Sequence, residues 1–87
     1  MTLIPVYVHE VINDDLHLVA SDKQYRASMQ TFFSQNPQER TLLQEICDTE
    51  RLLFLALSTT TLCFSLTDTT QAILCDEVTE YVPEKNN

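Results

Sequence analysis

The sequence predicts a small α+β domain in the order ββααβββ, in which an N-terminal hairpin and a C-terminal meander form an antiparallel sheet with two helices packed on one face. Three observations predict it. Apolar residues alternate with period two over Leu3–Ser21, and again from Arg51 onward. Between these stretches lie two helix start signals, each followed by apolar residues at helical spacing.

In the first segment Val6, Val8, Ile12, Leu16, Leu18 and Ala20 fall on one face of a hairpin. Asn13-Asp14-Asp15 forms its turn, because Asn and Asp tolerate the left-handed conformation that glycine usually supplies. Pro5 lacks a ladder donor and suits a strand edge or start. A helix over about 22–35 follows from the capping pair Ser21 and Gln24 and from a stripe of Tyr25, Met29, Phe32 and Phe33. Asn36, Pro37 and Glu39 announce a second helix, which buries Leu42, Leu43, Ile46 and Cys47.

Near Arg51 the pattern changes to period two. Strands 51–57 and 62–67 are expected to pair across Ser58–Thr61, setting Leu53, Leu55 and Leu57 opposite Leu66, Phe64 and Leu62. A further turn at Asp68-Thr69-Thr70 leads into strand Gln71–Asp76, with Leu74 beside Phe64, Ala72 beside Leu66, and Cys63 opposite Cys75. A C-terminal helix capped by Asp68 and running to about Val82 competes with this strand; the strand is preferred. The whole chain, 1–87, reads as one domain, and residues 83–87 are expected to fray.

Composition limits the function classes. The chain of 87 residues contains no glycine, where about six would be expected at average usage. Phosphate-cradling loops, dinucleotide turns and nucleophile elbows need glycine for positive φ or close ligand approach, so none is present. The formal charge is −8, which repels phosphate backbones and argues against direct nucleic-acid binding. Basic protein surfaces are the natural partners. Net negative charge concentrates in the strand segments: residues 1–22 and 52–84 carry no basic residue, whereas in residues 23–51 four basic residues balance four acidic ones.

Cys47, Cys63 and Cys75 are odd in number and widely spaced, which fits neither a disulfide framework nor a zinc ribbon. His9 and His17 share a hairpin face, but two imidazoles fall short of the three protein ligands of a catalytic zinc centre. No metal site, cofactor or catalytic residue is therefore expected, and the chain is not expected to be an enzyme. No apolar run is long enough to span a membrane and no basic region opens the chain, so the expectation is a cytoplasmic protein.

Two surface features remain. Asp76, Glu77, Glu80 and Glu84 form an acidic cluster suited to docking on a basic groove. Leu52, Phe54, Ala56, Ile73, Cys63 and Cys75 are expected on the sheet face away from the helices, with Leu52, Phe54 and Ile73 meeting the partner and Phe54 as the aromatic anchor. The expected function is that of an acidic intracellular inhibitor or regulator that occupies a basic surface of a larger protein. Its composition is similar to that of phage counter-defence factors such as anti-CRISPR proteins, of immunity proteins and of antitoxins, although no motif is shared. The alternatives are an obligate dimeric subunit or secretion chaperone and, behind it, a small metal or redox sensor.

Overall fold

Seven antiparallel strands form a single sheet in the computed structural model, which describes residues 2–66 and 68–81. In chain order the elements are β1 (Ile4–Ile12), β2 (Asp15–Val19), β3 (Gln24–Ser28), α1 (Gln30–Gln35), α2 (Glu39–Asp48), β4 (Leu52–Ala56), β5 (Thr61–Leu66), β6 (Thr69–Leu74) and β7 (Glu77–Tyr81). Across the sheet the strands lie in the order β6-β5-β4-β1-β2-β3-β7. The fold is thus α+β, with one short and one longer helix, but it has two strands beyond the expected ββααβββ order.

The first extra strand, β3, replaces the first part of the expected helix over 22–35. Tyr25 and Ala27 pair with Leu18 and Leu16 and point with them into the core, so burial across β2 overrides the helical spacing. The Ser21–Gln24 capping box does not form. Instead the Ala20 N–H donates to the Lys23 carbonyl at 2.9 Å and closes the β2–β3 turn. Only Gln30–Gln35 is helical, and it buries Phe33. The second extra strand, β7, pairs with β3 from Gln24↔Tyr81 to Ser28↔Glu77 and forms the far edge of the sheet.

The N-terminal hairpin turns at Asn13, whose φ of 55° is the left-handed value expected of it. Its faces are not continuous, because a β-bulge shifts the β1 register between Val8 and Glu10. Val6 and Val8 are buried, whereas beyond the bulge Ile12 is exposed and Val11 stands opposite buried Leu16. An extra residue reverses the parity of everything that follows it.

Helix α2 buries Leu43 and Ile46 and packs on β1. It ends in a Schellman motif, in which the Glu50 N–H donates to the Cys47 carbonyl and the Arg51 N–H to the Ile46 carbonyl, each at 3.2 Å. Glu50 takes the left-handed position at φ 52°. The chain then leaves at Leu52 into β4, as the change of period predicts.

Strands β4 and β5 pair two residues away from the expected register, with Leu55 opposite Leu62 and Phe54 opposite Cys63. An even shift preserves side-chain parity, so Leu53, Leu55, Leu62 and Phe64 all reach the core. Leu57 does not, because it opens the 3-10 turn Leu57–Thr59 and is exposed. Strand β6 is displaced by three residues, setting Cys63 opposite Ala72 and Leu62 opposite Ile73. An odd shift exchanges the faces: Ile73 and Cys75 are buried, while Ala72 and Leu74 point outward. The expected Cys63–Cys75 pair is therefore absent, and Ile73 belongs to the core rather than to the outer face. The expected tail 83–87 lies outside the described residues.

Candidate functional site

The sheet face turned away from the core carries an uncharged patch. Successive cross-strand pairs align Ala72, Cys63, Phe54 and Pro5 in one row over β6, β5, β4 and β1. A second row places Leu52, Tyr7 and Val19 side by side over β4, β1 and β2. Tyr7, Leu52 and Leu74 retain 46%, 39% and 68% exposure, and no described residue covers them. Phe54 is half-buried between its neighbours, at the centre of the first row.

Of the residues expected on this face, Leu52, Phe54 and Cys63 stand on it, Ile73 and Cys75 are in the core, and Ala56 is buried. Pro5, Tyr7, Val19, Ala72 and Leu74 join the patch. The alternation around Val6 and Val8 already points Pro5 and Tyr7 to the opposite side, and that signal was available in the sequence. The places of Ala72 and Leu74 depend on register alone. Two open clefts border the patch at Tyr7 and Val19, one walled also by Cys47 and Glu50 and the other by Asp22 and Lys23.

The acidic cluster is divided by the geometry of the edge strand. The Asp76 carboxylate accepts a hydrogen bond from the Thr31 N–H at 2.9 Å, which holds its pKa below the ordinary value. Glu80 stands opposite Tyr25 and forms an ion pair with Lys23 at 3.4 Å, an exposed contact that raises the lysine pKa. Glu77 stands opposite Ser28 and is exposed. Glu84 lies outside the described residues. Asp76 and Glu80 are thus engaged within the chain, and Glu77 and Glu80 stand exposed on the β7 edge strand. Among the described residues the recorded ion pairs are Lys23–Glu80 and Arg40–Asp14, so most of the acidic surface is unneutralised.

The fold brings Cys47 beside β1, where its Sγ lies 3.4 Å from the His9 carbonyl oxygen. Burial, then Asp48 and Glu10, push this thiol up, whereas an activated nucleophile needs a lowered pKa. Cys75 is pushed up to about 12, mainly by burial and also by Asp76. At the bulge, His9, Glu10 and His17 converge on the outer side of β1 and β2. His17 is held below its ordinary pKa by desolvation, then by His9 and Arg26, with Glu10 opposing. Its Nε2 lies 2.7 Å from Gln24 Oε1, and its ring lies against Tyr81, tilted by 30° with centroids 5.4 Å apart.

The chain matches none of the protein-family models, curated proteins or solved structures with which it was compared. Among the described residues no helix is long and apolar enough to cross a membrane.

Proposed function

We propose that the protein is a binding module that occupies a basic surface of a larger protein and thereby inhibits or regulates it. The observation that carries this reading is the uncharged outer patch around Phe54, Leu52, Tyr7 and Leu74, exposed on a chain of net charge −8. Contiguous exposed apolar surface marks an interface, and an aromatic near its centre is the usual anchor. The surrounding carboxylates speed encounter with a basic partner and select against acidic ones. This encounter weakens as salt rises, since the screening length is about 8 Å at physiological ionic strength.

The test replaces Leu52 and Leu74 together by Asp. Both side chains are exposed, so the far-UV circular dichroism should be unchanged while capture of the partner is lost. Phe54→Asp should cost at least about 2 kcal/mol of binding, as expected for a hot spot. Undiminished capture by a folded double variant would contradict the reading.

A second reading is favoured by one observation. Strand β6, of sequence TTQAIL, is a sheet edge with neither charge nor proline, whereas the β7 edge carries two glutamates. Uncharged edges accept further strands, and a second copy could extend the sheet there. Native mass separates the two: a stable dimer lost on Thr70→Lys supports self-pairing, and a monomer supports the binding module.

A further inference from the structure

We propose that His9, Glu10 and His17 form a binding site for a divalent transition-metal ion of the zinc, cobalt or nickel class. In an uninterrupted strand, His9 and Glu10 would point to opposite faces. The register shift between Val8 and Glu10 removes that alternation and leaves Glu10 directly opposite His17. One ligand atom from each of the three residues then lies within 4.8 Å of the other two. Around an ion with metal–ligand distances of about 2.1 Å, tetrahedral donors are about 3.4 Å apart, so rotamer adjustment of exposed side chains closes the set.

Two further contacts prepare His17. Gln24 Oε1 lies 2.7 Å from Nε2, and an acceptor there selects the tautomer that carries the proton on Nε2 and offers the Nδ1 lone pair to a metal; the Tyr81 ring lies against the imidazole, tilted by 30°. Hydrogen-bonded partners of this kind fix the tautomer and orientation of metal-binding histidines. His9 meets His17 edge-on, with ring centroids 5.3 Å apart. Two imidazoles and one carboxylate favour zinc, cobalt and nickel over magnesium and calcium, which prefer all-oxygen shells. Three protein ligands leave a coordination position for water or for a donor from another molecule. Arg26 stands opposite His17 on β3 and opposes the bound cation.

The experiment titrates Zn²⁺ into the full chain without an affinity tag and follows the imidazole Cε1–H resonances, of which the sequence supplies two. The expected result is a shift of both signals complete at one equivalent, with no response to Ca²⁺. Glu10→Gln, an exposed substitution, should lower Zn²⁺ affinity by at least about tenfold, and Gln24→Ala by about tenfold. Arg26→Gln should tighten binding. Co²⁺ should give visible d–d absorption that is lost in His9→Ala. A shift of only one histidine, an unchanged affinity in folded Glu10→Gln, or an equal response to Ca²⁺ would overturn the site.

Discussion

The Asp76 carboxylate caps helix α1 from 45 positions away in sequence, accepting the Thr31 N–H at 2.9 Å. The Asp76 N–H in turn donates to the Ser28 carbonyl at 2.9 Å, so one residue links β3, α1 and the start of β7. A carboxylate beside the first turn of a helix is favoured by the unpaired amides there. Because hydrogen bonding to Thr31 lowers the folded-state pKa, the stabilisation is fully present above the unfolded value near 3.8 and is lost as pH falls through the depressed folded value. Asp76→Ala should lower the melting temperature at pH 7 and make little difference at pH 2. Asp76→Asn, which keeps an acceptor, should remove this pH dependence. Equal destabilisation by Asp76→Ala at both pH values would show that the charge plays no part.

Glu50 holds the left-handed position of the Schellman motif that ends α2. For an L-residue with a Cβ this conformation costs about 1–2 kcal/mol. It also sets a negative charge at the helix C-terminus, where cations are preferred. Glu50→Gly should therefore raise unfolding stability by about 1 kcal/mol in urea titrations. A loss of stability would mean that α2 ends differently.

Adjacent leucines in β4 should respond oppositely. Leu53 is fully buried and Leu52 substantially exposed. Leu53→Ala should cost about 2–5 kcal/mol, including the cavity it leaves. Leu52→Ala should stay within about 0.5 kcal/mol. Denaturant midpoints at constant slope read the difference directly.

The three thiols should separate by reactivity. Cys63 and Cys47 are both half-buried, the latter with a raised pKa, and Cys75 is buried with its pKa pushed up to about 12. Alkylation at neutral pH followed by peptide mass spectrometry should label Cys63 first, then Cys47, and Cys75 only after unfolding. Mild oxidation should not join Cys63 to Cys75, because they face opposite sides of the sheet.

How much of this was legible depended on whether a feature is local. The Asn13 turn, the end of α2 before Arg51 and the alternation of Leu53 and Leu55 follow from short-range rules, and the structure contains all three. Strand register follows from long-range pairing. The two-residue slip between β4 and β5 left the faces intact, while the three-residue slip between β5 and β6 exchanged Ile73 with Ala72 and Leu74. Strand β3 was hidden because Tyr25, Met29, Phe32 and Phe33 all lie in or against the core, yet reach it through a strand, a junction and a short helix. Nothing in HisGluVal marks a bulge, so the sequence puts Glu10 near His9 and His17 but not opposite His17 on their face.

In the proposed function the outer face, and not the helix layer, meets the partner. This is tested most directly by placing a photo-crosslinking amino acid at position 52 or 74, and separately at exposed Thr41 on α2, then irradiating in the native host. The same crosslinked protein is expected from positions 52 and 74, weakened by added salt, and none from position 41. A crosslinked partner from position 41, with none from 52 or 74, would contradict it.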